Sequence, residues 1–191
     1  MMEPKQILKD HISKVIPLND EQFDSLFSLF SIRTFRKGEA VIKEGDRVQG
    51  EYFVLDGALK SFYINDDLKM SILQFAMPTW WISDYEALYS GERATIGVDC
   101  ITDATALYIT NSDREKACKE LHAVEHFFRW RTNKGYVSVT KRLLSFMNND
   151  AKHRYEALMK QYPQLYNLVP KHLIAAYLGV SRETLSRLYN S

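Results

Sequence analysis

Cysteine is scarce in this chain: Cys100 and Cys118 are the only two among 191 residues. Two thiols cannot by themselves form a disulfide framework or ligate a four-thiolate cluster, so both are read as buried free thiols and no iron-sulfur cluster is expected. Long apolar runs are also missing. Nothing approaches the ~18 residues that span a bilayer, and the start lacks the charged-then-apolar pattern of a signal peptide, so a cytoplasmic protein with no membrane partner is expected. Catalytic signatures are absent too: there is no nucleophile motif, no phosphate-cradling glycine loop and no pair of carboxylates in a catalytic setting, and we expect no enzyme. His122 and His126 lie four apart on one helix face, but with no third ligand and no His-Glu-x-x-His pattern they are read as solvated side chains, not a metal site.

Net charge is nearly absent as well, at +1, but the balance hides a division. Residues 129–191 hold eleven Lys or Arg against three acids, a net of +8, which leaves −7 on residues 1–128. Exposed helix faces alone do not separate the signs in this way, and the basic end calls for a polyanion partner. With 46% hydrophobic residues the chain can bury a core, enough for one medium and one small domain.

Residues 4–15 and 21–30 have the periodicity of amphipathic helices, the second opened by Asn19 with Gln22 three residues later as a capping box. Between 32 and 110 the pattern changes to short runs at 32–36, 40–43, 51–55, 58–64, 69–76, 94–99 and 104–109, separated by turn residues such as Lys37-Gly38, Asp56-Gly57 and Asn65-Asp66-Asp67. Strands this short and this closely spaced imply an antiparallel sandwich or barrel. After Asn111-Ser112-Asp113 a long helical stretch begins. Its apolar stripe, Ala117, Leu121, Val124 and Phe128, is interrupted at 131–135 and resumes at Val139, Leu143 and Phe146 or Met147. Gly135 in the interruption suggests a hinge, since glycine within a helix costs about 1 kcal/mol relative to alanine.

The last stretch, 171–191, reads as a helix-turn-helix. Ile174, Ala175 and Leu178 share a face, Gly179 supplies the positive φ of a tight turn, Val180 fills the corner, and Ser181 caps a second helix that returns Leu185 and Leu188 to the same small core. Arg182, Glu183, Ser186 and Arg187 are left on the outward face, where arginine can read guanine and glutamate can read cytosine in the major groove. Double-stranded DNA is the partner this implies.

The segment Leu178-Gly-Val-Ser-Arg-Glu-Thr-Leu-Ser-Arg187 resembles the recognition helix of the Crp/Fnr family of bacterial transcription regulators. Lys37-Gly-Glu-Ala-Val-Ile-Lys-Glu-Gly-Asp46 and Tyr52-Phe-Val-Leu-Asp-Gly-Ala-Leu-Lys60 resemble that family's cyclic-nucleotide-binding jelly roll. The resemblance implies an α+β fold: an N-terminal antiparallel jelly roll flanked by helices, a long dimerisation helix, and a small all-α helix-turn-helix domain. Residues 1–134 would then be the effector domain and 135–191 the DNA-binding domain. It further implies a homodimer through Ala117, Leu121, Val124 and Phe128, RNA polymerase as a possible further partner, and half-sites of the T-G-T-G-A type.

Family members that bind cyclic nucleotides hold them in a phosphate-binding cassette, which falls here on residues 80–95. Arg93, Ala94 and Thr95 match its closing part and suit an anionic small-molecule effector, whereas Ser83 and Asp84 replace the usual Gly-Glu that takes the ribose. Cyclic AMP is therefore disfavoured and the effector stays unnamed. A β-hairpin wing common in the family is not found after Arg187, so modest DNA affinity is expected.

Overall fold

The computed structural model describes residues 3–189. Two helices open the chain, α1 (Pro4–Ser13) and α2 (Asp20–Phe27). The capping box holds: the Asn19 side chain accepts from the Gln22 N–H at 2.8 Å, and Gln22 accepts from the Asn19 N–H at 3.1 Å.

Eight strands follow: β1 (Ser31–Phe35), β2 (Ala40–Ile42), β3 (Gly50–Asp56), β4 (Leu59–Ile64), β5 (Met70–Ala76), β6 (Trp81–Ile82), β7 (Gly97–Cys100) and β8 (Ala104–Thr110), with the short helix α3 (Tyr85–Ser90) between β6 and β7. They form two four-stranded antiparallel sheets, ordered β1-β8-β3-β6 and β2-β7-β4-β5. Consecutive strands swap sheets except for β4 and β5, which pair within one, and Ile42, Val54, Leu59, Ile82 and Val98 close the sandwich from inside. This is the expected jelly roll. Gly38, Gly45 and Gly57 all sit at positive φ as turn residues, and a Cβ on Gly57 would lie 2.2 Å from the Asp103 carbonyl.

Beyond the roll come α4 (Asn111–Glu120), α5 (His122–Asn148), α6 (Ala151–Gln161), α7 (Leu165–Leu168), α8 (Lys171–Leu178) and α9 (Arg182–Tyr189). The long helical stretch breaks at Leu121, not at Gly135, and α5 runs unbroken through Gly135 for 27 residues, about 40 Å. Gly135 is exposed, so no side chain is missed there. The interruption in the apolar stripe is a change of face instead. Val124, Phe127 and Phe128 point inward against Leu8, Ile12, Phe23 and Trp81, while the later apolar residues of α5 point to solvent.

The expected seam is corrected by this packing. Ala117, Val124 and Phe128 are 2%, 0% and 7% exposed within the single protomer, turned into its own core and not toward a second copy, and the partly buried Leu121 packs against the same core. No break in helix marks residue 135, where the domain division is expected; the first gap after Leu121 falls at Asn149. Nor is the terminal part a separate core: Leu158, Leu165, Ile174 and Leu178 pack with Ile72, Phe75 and Met77 of the roll.

Candidate functional site

The helix-turn-helix forms as its residues dictate. Gly179 adopts φ +68° at the end of α8, with its N–H bonded back into the helix. The Ser181 hydroxyl then accepts from the Thr184 N–H at 3.1 Å, capping α9. Ile174, Ala175, Leu178 and Leu185 are each no more than 2% exposed, which locks the two helices together. Arg182, Glu183, Ser186 and Arg187 emerge side by side, all exposed, and line one shallow concavity on the first two turns of α9. The Glu183 carboxyl is held below its ordinary pKa, first by its own backbone N–H, then by the Ser181 hydroxyl and the neighbouring arginines. Asn190 and Ser191, where the lack of a wing was read, lie outside the described residues.

Two arginines that periodicity did not single out brace this unit. Arg142 of α5 donates to the carbonyls of Leu73, of Ile72 at 2.8 Å and of Tyr177 at 3.0 Å, and stacks 3.8 Å from the Tyr177 ring centroid. β5 is an edge strand, so its outward carbonyls have no strand partner, and Arg142 supplies one. Arg154 donates to Leu178 O at 3.1 Å and Asn149 O at 2.6 Å, covering the end of α8. The Arg142 pKa is lowered from its ordinary value by burial.

The cassette residues come together around α3, but they face one another. Asp84 is 1% exposed and accepts three backbone N–H groups, from Ala87 at 3.1 Å, Thr95 at 3.0 Å and Ile96 at 3.4 Å. It caps α3 and fastens the returning strand. Ser83 donates to Gly50 O at 2.8 Å, Arg93 to Gly45 O at 2.8 Å, and Thr95 to Glu86 at 3.3 Å. Ala94 is buried in the sandwich core, while Arg93 and Thr95 remain exposed. The one-methylene difference between Asp and Glu thus has a local consequence: a side chain this short reaches the backbone on either side of the loop.

Against this loop sits a buried ion cluster that the motifs did not point to. Glu51 of β3 is 1% exposed and lies 2.6 Å from the Arg131 guanidinium and 3.4 Å from that of Arg114. Tyr85 of α3 donates to the same carboxylate at 3.1 Å. The available signals were weak ones: a carboxylate opening an otherwise apolar strand, and Arg131 at the break in the stripe.

Comparison with known proteins agrees with this architecture. Residues 32–120 match the family model of the cyclic nucleotide-binding domain. Over 91% of its length, the chain is 27% identical to the cyclic AMP receptor protein of Thermus thermophilus, covering 82% of that protein. Among solved structures, FixK2 from Bradyrhizobium japonicum superposes with a TM-score of 0.70 at 21% identity, over 84% of this chain and 83% of that one. The c-di-GMP-responsive regulator CLP of Xanthomonas campestris gives 0.64 at 15% identity, over 90% of each chain. The fold is thus that of a cyclic-nucleotide-binding jelly roll joined to a helix-turn-helix. Residues 32–120 thus match the cyclic nucleotide-binding domain, and over most of its length the chain is similar to regulators of the Crp/Fnr family.

Proposed function

We propose that this protein is a DNA-binding transcription regulator that reads a palindromic site as a homodimer. The observation that carries the reading is the shared exposure of Arg182, Glu183, Ser186 and Arg187 on the opening turns of a helix whose other face is fixed in a core. That placement suits base edges in the major groove. Lys141 and Lys152, both exposed on the basic part of the chain, are the residues we assign to phosphates.

The face of α5 opposite the core supports a two-fold seam. Tyr136, Leu143 and Met147 are 74%, 60% and 72% exposed, and Val137 and Leu144 extend the same face. Exposed apolar side chains at spacings of seven and four along one helix suit a helix-to-helix interface. Such a dimer would set two α9 helices about one DNA turn, ~34 Å, apart.

The effector assignment follows from the cassette. Asp84 is committed to three N–H groups and has no geometry for a ribose, so we propose that cyclic AMP is not the effector. Arg93 and Thr95 are the exposed groups on which a small anion could still act.

Selection from a random duplex library tests the main reading: it should enrich a palindrome with T-G-T-G-A-type half-sites. Arg182→Ala should relax preference at one guanine by about 1–3 kcal/mol, whereas Lys152→Ala should weaken all sequences alike. No enriched palindrome, or a motif unchanged by Arg182→Ala, would overturn it.

A further inference from the structure

The cassette helix α3 and the long helix α5 are joined through one carboxylate. Glu51 Oε2 accepts from the Tyr85 hydroxyl of α3 and lies 2.6 Å from the Arg131 guanidinium of α5, and Oε1 faces Arg114 from α4, whose guanidinium also meets the Tyr89 hydroxyl of α3. Aromatic rings wall the group in. The Arg131 guanidinium lies 4.5 Å from the Trp81 ring, 5.2 Å from Phe128 and 5.9 Å from Tyr85, and that of Arg114 lies 5.0 Å from Tyr89. Arg114 has further partners at the surface side, Asn111 at 2.7 Å and Glu115 at 2.8 Å, but the carboxylate on Arg131 is Glu51. A buried pair of arginines between the cassette and the long helix is the chemistry that an anionic ligand would meet. Here the chain supplies the anion itself.

We propose that Glu51 acts as a built-in anion that clasps α3 to α4 and α5, so that this regulator holds its cassette engaged with the long helix without a bound effector. The inference rests on the regulator reading above and extends it to control. Burial opposes charge on Arg131, and the Glu51 carboxylate more than offsets it, holding the Arg131 pKa above its ordinary value. Removing the carboxylate leaves the Arg114 and Arg131 cations of α4 and α5 facing each other and takes from Tyr85 its acceptor, which frees α3 from the long helix. A free carboxylate of the right size would then restore the clasp.

The test uses the full chain. Glu51→Gly removes the anion and leaves a space, larger than the lost carboxylate itself, that a formate ion can enter. Amide hydrogen exchange in α3 and in α5 should accelerate by roughly tenfold or more, affinity for the selected DNA should fall, and sodium formate, but not chloride at equal ionic strength, should reverse both. Cyclic AMP added to the unaltered protein should change neither. Tyr85→Phe, which removes one hydroxyl, keeps the proposal testable if Glu51→Gly does not fold in either salt: exchange in α3 should rise several-fold with the fold intact. Unchanged α3 exchange in Tyr85→Phe, or equal rescue by chloride, overturns the clasp. The exchange readout needs no DNA, so a formate-responsive clasp in a protein that binds no DNA counts against the regulator reading alone.

Discussion

Asp84, Ser83, Arg93 and Thr95 at the cassette each satisfy another part of the same chain, and Asp84 alone holds three backbone N–H groups in the interior. On α9, Arg182, Ser186 and Arg187 stand in solvent, and Glu183 leans only as far as Ser181. The cassette's polar groups are bonded to the chain itself, Ser83 and Asp84 in the interior and Arg93 and Thr95 at the surface, whereas α9 presents its polar groups outward. A polar group already bonded in the interior must break those bonds to receive a ligand, whereas an exposed one exchanges water for its partner. The difference separates a region that stabilises itself from one built to contact something else.

The largest effect that should follow is at Asp84. Asp84→Ala leaves three backbone donors facing a buried gap, and unsatisfied buried donors cost about 1–3 kcal/mol each, so a loss of about 3 kcal/mol is expected in urea unfolding. Glu183→Ala should change stability by less than about 0.5 kcal/mol. Equal losses at the two positions would erase the contrast.

A second contrast lies along α5 itself. Leu143→Glu with Met147→Glu should give a folded monomer in sedimentation and lower affinity for a palindrome about a hundredfold or more, because the two half-sites are then bound independently. Charges at Leu121 and Val124, which are packed in the protomer, should instead unfold the chain. A stable dimer in the Leu143/Met147 variant would remove this seam.

Arg142 tests whether the outward-facing end is held by the inward-facing one. Arg142→Leu strips donors from Ile72, Leu73 and Tyr177 carbonyls, and should cost about 2 kcal/mol. Hydrogen exchange should show the loss concentrated in α8 and β5. A uniform loss across the chain would mean that Arg142 supports the core in general and not the joint.

How much of this was legible in the sequence divides along the same line. The helix-turn-helix was read residue by residue, because Ile174, Leu178, Gly179, Ser181 and Leu185 act over one or two turns, where spacing and capping decide the structure. The strands were found within a residue or two for the same reason, apart from β7, which starts three residues after the run read at 94–99, and from the two-residue β6 and the short α3, each too brief to show a period. What failed was long-range. Periodicity put Ala117, Leu121, Val124 and Phe128 on one helix face; they do share one core, but across the break between α4 and α5, and a local pattern cannot say whether they meet the chain's own α1 and α2 or another copy. Glu51, Arg114 and Arg131 are far apart in sequence and carry charges that a local pattern assigns to the surface; only the fold brings them together in the interior.

The smallest expected effect concerns His11, whose ring belongs to the inward-facing region. It accepts a hydrogen bond from the Trp81 indole at 3.4 Å and packs 4.9 Å from the Phe53 ring. Burial, and then the charges of Lys14, Arg131 and Lys134, push its pKa down from 6.5 to about 4. In the unfolded chain the ring takes up a proton as pH falls through about 6.5, while in the folded chain it stays neutral until about pH 4. The unfolded state therefore binds more protons across that window, and stability must fall with falling pH between those limits and level off below them. With part of the ring reached by solvent, a loss of about 1–2 kcal/mol is expected. His11→Gln keeps an acceptor for Trp81 and does not titrate, so urea midpoints measured from pH 7 to pH 4 should lose this slope. An unchanged slope in the variant would assign the effect to other groups and leave His11 a packed ring without a proton-linked role.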